Sequence, residues 1–93
     1  MIKSFKDPEA ERVFQQQFSK RLPRDIQARA FQKMLLLDAA EDERDLRIPP
    51  ANHLERLHGN RAGELSIRVN RQWRLCFRFV DGHAYGVSIE DYH

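Results

Sequence analysis

The sequence predicts an α+β domain with the element order β-α-α-β-β-β, in which a helical hairpin packs on one face of a small, mainly antiparallel sheet. Two observations support this prediction. Over roughly the first 40 residues apolar side chains recur every three or four positions, as in amphipathic helices. From residue 64 onward they alternate with polar side chains, as in half-buried strands. At 93 residues the chain has the size of one hydrophobic core, so we expect a single domain over residues 1–93.

The N-terminal part predicts a short edge strand followed by a first helix. Residues 1–5 alternate, imperfectly, between apolar and polar side chains. Asp7 and Pro8 predict a helix start, because Asp caps free backbone N–H groups and Pro is tolerated in the first turn. We expect this helix to reach about Ser19, with Val13 and Phe18 on its apolar face.

A second helix is expected over about residues 23–40. Its short connection to the first helix predicts an antiparallel hairpin. Residues 41–52 are expected to form a surface loop, because paired prolines continue neither a helix nor a central strand. Residues 53–57 are compatible with a turn of helix or an irregular strand.

The second half of the chain predicts three strands, over residues 64–70, 73–80 and 83–89. Asp81-Gly82 is a typical hairpin turn, since glycine accepts a positive φ. The predicted core-facing residues are Leu65, Ile67, Val69, Trp73, Leu75, Phe77 and Phe79, joined in the last strand by Tyr85, Val87 and Ile89. The opposite face bears Arg68, Arg74 and Arg78, which is more charge than a core accepts. We therefore expect a polyanion on this open face or in a cleft at its edge.

The charge distribution is more informative than the net charge of +2. Residues 1–45 contain nine basic and nine acidic side chains, whereas residues 46–93 contain seven Arg, no Lys and five acids. Arginine without lysine suits bidentate recognition of phosphate or carboxylate groups. The same pattern is also typical of a merely solvated sheet face.

Several classes of protein are disfavoured by the composition. The one cysteine, Cys76, allows neither an internal disulfide nor a cysteine-based zinc site, and we expect it to be a small core or semi-buried residue. His53 and His58 lack the spacing and carboxylate of a known metal motif, so we expect no metal and no cofactor. No apolar run approaches the ~20 residues of a membrane span, and residues 1–7 lack the apolar stretch of a signal peptide. We therefore expect a cytoplasmic protein without a membrane partner.

The remaining polar residues have the chemistry needed to cleave RNA without a metal. A base must take the proton of the ribose 2′-OH, an acid must protonate the departing 5′ oxygen, and a cation must stabilise the charge on phosphorus oxygens. Histidine suits proton transfer and arginine suits phosphate, while tyrosine can stack on a base. The candidates are His58, Arg61, Arg74, Arg78, Asp91, Tyr92 and His93. The alternative for the last three residues is a frayed tail without function.

Four segments occur in an order that is specific to one family. They are residues 1–6 (MIKSFK), 57–70 (LHGNRAGELSIRVN), 73–77 (WRLCF) and 90–93 (EDYH). Together they resemble the HigB toxins, also called plasmid-maintenance killer proteins, of the RelE-like superfamily. The resemblance implies a RelE-like fold and a type II toxin that acts as a ribosome-dependent endoribonuclease, cutting mRNA in the ribosomal A site and inhibiting translation. Its implied partners are mRNA, the ribosome (30S A site) and a HigA-type helix-turn-helix antitoxin.

The resemblance also suggests roles for individual residues. Arg74 matches the arginine that helps hold the scissile phosphate, and Asp91, Tyr92 and His93 match the family's closing Asp-Tyr-His. The resemblance does not decide which residue is the acid and which is the base.

One loop position departs from the family pattern. His58 stands where the family often has lysine, and it is our choice for the catalytic residue of this loop. Glu55 stands where some members have histidine, and His53 lies two residues earlier, so both remain alternatives.

Three further arginines are expected to bind RNA, and two other functions remain open. The predicted RNA contacts are Arg61, Arg68 and Arg78. A non-catalytic RNA- or ribosome-binding module would need the arginines but neither Asp91 nor His93. A pure protein-interaction domain would need the helical surface and would tolerate changes in the arginine cluster.

Overall fold

The computed structural model describes residues 1–92, so the predicted catalytic residue His93 lies outside the described residues. The helices and strands are α1 (Pro8–Phe14), α2 (Arg24–Ala39), β1 (Glu55–Arg56), β2 (Leu65–Arg68), β3 (Trp73–Val80) and β4 (His83–Asp91), with 3₁₀ turns at Glu43–Arg47, Pro50–Asn52 and Gly59–Arg61. The four strands form an antiparallel sheet in the order β1-β2-β3-β4. The predicted α+β class and strand-forming second half are confirmed.

The N-terminal segment pairs with the last strand, in parallel orientation. Isolated bridges join Ile2 to Ala84 and Phe5 to Val87. The Lys3 amide donates to the Ala84 carbonyl at 2.8 Å, and the Val87 amide donates to the Ser4 carbonyl at 3.1 Å. The predicted edge strand is therefore present only as two bridges, which extend the sheet beyond β4.

The hydrophobic core lies between α2 and the sheet face that was predicted to be apolar. On α2 the buried residues are Ile26, Ala30, Met34 and Leu37, which share one helix face because of their 3–4 spacing. They pack with Leu65, Ile67, Val69, Leu75, Phe77, Val87 and Ile89 of the sheet, and Trp73 and Phe79 are partly buried at the margin. In the part of the chain that the structure describes, no helix is long and apolar enough to cross a membrane.

The first helix is shorter than predicted. It ends at Phe14 rather than near Ser19, and Gln16 follows with a left-handed φ of 61°. In the segment after the helix, the Gln27 side chain satisfies the backbone groups of Ser19. Its amide donates to the Ser19 carbonyl at 2.8 Å, and its oxygen accepts from the Ser19 N–H at 3.0 Å. Phe18 is consequently 53% exposed, so the prediction that it lies in the core is wrong.

A bulge in β4 overturns the predicted orientation of Tyr85. Cys76 pairs with Ser88 but Arg78 pairs with Tyr85, so two residues of β4 oppose Phe77. Gly86 lies in this bulge with a φ of 62°, which glycine adopts without the steric cost of a Cβ. The extra residue reverses which side chains of β4 face the core on the N-terminal side of the bulge. Tyr85 is therefore 38% exposed and Ala84 is buried in its place.

The predicted surface loop over residues 41–52 contains two 3₁₀ turns and contributes to the interior. Leu46 and Asn52 are both fully buried. The Asn52 amide donates to the Leu46 carbonyl at 3.1 Å and the Ile48 carbonyl at 3.2 Å. These bonds satisfy a buried polar side chain and fix the path of the chain into β1.

Candidate active site

The sheet face opposite the helices bears the charged residues that the sequence singled out. Register places Arg68 directly opposite Arg74 across β2 and β3, and Glu90 opposite Arg74 across β3 and β4. Like charges directly opposite one another destabilise a sheet. An anion bound between Arg68 and Arg74 would offset this repulsion.

Arg74 is anchored within the protein rather than standing on an open surface. Only 7% of the residue is exposed. Its Nε donates to Ser66 Oγ at 2.8 Å, and its Nη2 donates to the carbonyl oxygens of His53 and Ser66. Nη1 lies 3.6 Å from Glu55 Oε1. The open position predicted for Arg74 is therefore wrong, because Ser66 and His53 supply acceptors that make its burial possible. Nη1 is the nitrogen with the weakest contact.

A cleft of about 260 Å³ opens beside Arg74. It is lined by His53, Glu55, Arg68, Asn70, Arg71, Arg74 and Tyr92. Three guanidinium groups and one carboxylate give this active-site cleft a positive lining. The cleft can therefore attract a phosphate group, and the Glu55 carboxylate in its lining can accept a proton.

Tyr92 covers one side of Arg74. The Arg74 Cζ atom lies 5.9 Å from the centre of the Tyr92 ring, a cation–π distance. The Tyr92 N–H donates to the Gln72 carbonyl, which ties the end of the chain to the β2–β3 connection. Burial is the main cause that raises the pKa of the Tyr92 hydroxyl above its usual value. The neutral phenol can therefore donate a hydrogen bond to a phosphate or stack on a base.

Arg61 is held by two carboxylates. Its Nη1 and Nη2 donate to the two Glu90 oxygens at 2.6 and 2.7 Å, and Glu64 accepts from Nε at 3.2 Å and Nη2 at 2.9 Å. The Arg61 guanidinium lowers the pKa of Glu90 to about 2, against an opposing effect of burial. Because its charge is neutralised internally, Arg61 has a structural role here that competes with its predicted contact to RNA.

Cys76 lies beside this ion-pair cluster and is fully buried. Burial raises the pKa of its thiol to about 12, and the Glu90 carboxylate contributes in the same direction. The thiol is therefore protonated at neutral pH and is a poor nucleophile. Its burial agrees with the core position expected from the sequence.

Two of the predicted catalytic residues in the described part of the chain, His58 and Asp91, do not line the cleft. His58 is exposed and precedes the 3₁₀ turn Gly59–Arg61, whereas His53 and Glu55 do line the cleft. Asp91 pairs with Trp73, on the opposite sheet face from Arg74, and accepts from Gln72 Nε2 at 3.2 Å.

Arg78 lies outside the cleft, whereas two residues that were not predicted as site residues line it. Arg78 is exposed and lies four residues beyond Arg74 on the same strand face. Asn70 and Arg71 line the cleft, although neither was predicted as a site residue. Their place in a hairpin connection between two arginine-bearing strands was the available signal. Within residues 1–92, no three His, Cys, Asp or Glu side chains are grouped so that they could hold a metal ion.

Comparison with known proteins identifies relatives over the whole chain. Residues 3–93 match the family model described as the RelE-like toxin of the type II toxin–antitoxin system HigB. Toxin HigB-1 of Vibrio cholerae is 45% identical over 91 residues, covering 97% of this chain and 96% of the relative. Endoribonuclease HigB of Proteus vulgaris is 33% identical over 93 residues and covers both chains completely.

Solved structures share the fold at lower sequence identity. The YoeB–YefM complex from Staphylococcus aureus matches with a TM-score of 0.60 and 22% identity, covering 100% of this chain and 98% of the other. YafQ from Escherichia coli matches with a TM-score of 0.61 and 13% identity, covering 98% and 91% of the two chains. The resemblance noted in the sequence is confirmed, and the fold is RelE-like.

Proposed function

Because this chain belongs to the HigB family of RelE-like toxins of type II toxin–antitoxin systems, we propose that it is an endoribonuclease that cleaves mRNA in the ribosomal A site and thereby inhibits translation. The observation that supports the chemistry best is the active-site cleft, with Arg74 anchored at its wall and Tyr92 beside it. A relative that covers the whole chain is named as an endoribonuclease.

Arg74 would stabilise the scissile phosphate. Its bonds to Ser66 and His53 fix the plane of the guanidinium before substrate arrives. A fixed donor stabilises charge that develops in the transition state without a cost of reorganisation. Nη1 is the group that would meet a phosphate oxygen, and Glu55 would exchange its 3.6 Å contact with Nη1 for contact with the ribose.

Glu55 and an imidazole would carry the two proton transfers. The Glu55 carboxylate lies in the cleft beside Arg74 and can accept the proton of the attacking 2′-OH. His53, in the same cleft, or His93, from the family motif, would protonate the departing 5′ oxygen. Asp91 would act from outside the cleft by orienting the end of the chain through Gln72. This choice replaces His58, which does not line the cleft.

The ribosome would supply the remaining geometry. The cleft is small and open, and cleavage requires the 2′ oxygen, the phosphorus and the 5′ oxygen to lie in line. A ribosome that holds the codon in this arrangement provides the orientation that the protein alone lacks. Such a substrate would place the protein in the cytoplasm.

A HigA-type antitoxin would contact the helical half of the protein. Phe18 and Leu35 are large apolar side chains exposed on this half, away from the active-site cleft. We expect crosslinks between toxin and antitoxin to lie in residues 1–45. Crosslinks confined to the region of Arg74 would contradict this arrangement.

The catalytic proposal is tested by mRNA cleavage on purified ribosomes, with cleavage sites mapped as new mRNA ends. We expect Arg74→Lys to reduce the rate by about 10²-fold, because lysine keeps the charge but lacks the planar fork of donors. Arg44→Lys is the matched control, since Arg44 forms an exposed pair with Asp42. The melting temperature of each variant checks that the fold is retained.

Two outcomes would contradict the proposal. Undiminished cleavage by a folded Arg74→Lys variant would exclude Arg74 from the transition state. Arrest of translation by the wild-type chain without any cut mRNA would favour the non-catalytic RNA- or ribosome-binding module. Glu55→Gln and His53→Gln test the two proton-transfer roles separately. A residue that transfers a proton changes the pH dependence of the cleavage rate when it is replaced, and a residue that does not leaves it unchanged.

A further inference from the structure

A second and larger cleft, of about 630 Å³, lies between α2 and the end of β2. We call it the cationic cleft and define it by Arg29, Lys33, Arg68 and Arg71. Its other lining residues are Ala51, His53, Val69 and Asn70. It shares His53, Arg68, Asn70 and Arg71 with the active-site cleft, so the two clefts adjoin along a common wall.

The positive charges of the cationic cleft are not balanced within the described part of the protein. No carboxylate lines it, and the ion pairs of residues 1–92 involve none of its four cationic residues. The pKa of Lys33 is lowered by burial and by the positive charge of Arg29. Cations that repel one another in this way gain free energy when an anion enters between them.

One of these cations, Lys33, is held in position, and the turn that bears a second, Arg71, is ordered. The Lys33 ammonium donates to Asn52 Oδ1 at 2.6 Å, and Asn52 is fully buried and fixed by its own bonds to the backbone. Asn70 Oδ1 accepts from the N–H groups of Gln72 and Trp73, both at 2.8 Å, which orders the turn that bears Arg71. A preorganised cation loses less conformational entropy when it binds a phosphate.

We propose that the cationic cleft binds the phosphate backbone of single-stranded RNA beyond the cleaved bond, so that the substrate strand passes from the active-site cleft between α2 and Arg71. This inference rests on the proposed function and extends it. Single-stranded RNA is the ligand that fits, because a continuous strand can place successive phosphates in two adjoining clefts that share a wall. Arg29 and Lys33, four residues apart on α2, provide the cations of the far wall.

The test measures binding rather than cleavage. The probe is a fluorescent 2′-O-methyl RNA of about 12 nucleotides, which lacks the attacking hydroxyl, and binding is followed by anisotropy over a range of salt concentrations. The variant is Arg29→Gln/Lys33→Gln. Its matched control, Lys20→Gln/Arg21→Gln, removes the same two charges from a different cleft of the surface.

We expect the cationic-cleft variant to bind the probe at least about tenfold more weakly. The slope of log K against log salt should fall by about 1.4, since each phosphate contact on a single strand contributes about 0.7. A 2′-O-methyl dinucleotide, which spans only the scissile bond, should bind both variants and the wild type equally. The control variant should keep the wild-type slope.

Three results would overturn the inference. They are an unchanged slope in the cationic-cleft variant, an equal loss in the control variant, and absence of wild-type binding at low salt. Each is independent of the catalytic proposal, which fails if a folded Arg74→Lys variant cleaves mRNA undiminished or if the wild-type chain arrests translation without cutting mRNA. If the cationic-cleft variant gives the first of these results, binding the probe normally, and yet cleaves poorly on ribosomes, Arg29 and Lys33 are assigned to ribosomal contacts instead.

Discussion

Protonation of Glu90 should destabilise the fold in acid. The Glu90 carboxylate accepts hydrogen bonds from Arg61 at 2.6 and 2.7 Å and from Ser88 at 2.6 Å, and its pKa falls from 4.5 to about 2. Between these two values the unfolded chain binds more protons than the folded chain, so stability decreases as the pH is lowered. The contribution is complete above pH 4.5 and is lost as the pH falls through about 2.

The size of this contribution follows from the pKa shift and the exposure of the pair. A shift of about 2.5 units at 1.36 kcal/mol each sets an upper value of about 3 kcal/mol. The side chains of Arg61 and Glu90 are 28% and 24% exposed, so solvent screening reduces the expected value to about 1–2 kcal/mol. That is a substantial part of the ~5–10 kcal/mol that stabilises a domain of this size.

The assay is urea unfolding of wild type and Glu90→Gln from about pH 7 to about pH 2.5. We expect Glu90→Gln to be about 1–2 kcal/mol less stable at neutral pH and the difference to shrink toward zero in acid. Glu43→Gln is the control, because Glu43 pairs with Arg56 and Arg47, which are largely exposed and contribute little. Parallel stability profiles for wild type and Glu90→Gln would refute the reasoning.

Three further predictions concern the bulge, the core and the site. Gly86→Ala should lower the free energy of unfolding in urea by about 1 kcal/mol, through its positive φ alone. Gly82→Ala should lower it further, because the added Cβ would lie 2.9 Å from the Glu41 carbonyl oxygen. Met34→Ala should cost about 2–5 kcal/mol by thermal or urea unfolding, because Met34 is fully buried; a loss below 1 kcal/mol would contradict its place in the core. If Tyr92 stacks on a base, Tyr92→Phe should bind the RNA probe almost normally, while Tyr92→Ala should lose about 1–3 kcal/mol of binding free energy; equal loss in both variants would assign the function to the hydroxyl.

The elements with the strongest periodicity were predictable from the sequence. The apolar spacing of Ile26, Ala30 and Met34 fixed the buried face of α2, because helical geometry depends only on neighbouring residues. The end of α1 was not predictable in this way. It depends on hydrogen bonds from Gln27, a residue of the next helix, and local patterns do not report such tertiary contacts. The orientation of Tyr85 failed for a related reason, since one bulge inverts all strand positions beyond it.

The functional residues were predictable by type but less so by position. Arg74 and Tyr92 were both site candidates from the sequence, and the fold brings them together at the cleft. Glu90 was missed as the partner of Arg61 because their pairing joins residues 29 positions apart. His58 was preferred because it stands at the position where the family often has lysine, but the path of the short strand β1 brings Glu55 to the cleft. Loop residues take their position from the surrounding fold, which sequence spacing does not encode.

The parallel pairing of the N-terminal segment with β4 also determines when the protein can become active during its synthesis. The Met1 amine donates to the Gly82 carbonyl across 81 residues, and the Gly86 amide donates to Ser4 across 82. A chain emerging from the N-terminus must therefore hold its first segment unpaired until nearly all of β4 has been made. Tyr92, which lines the cleft, follows β4 directly. The cleft is therefore completed only after the strand that pairs with the first segment has been made.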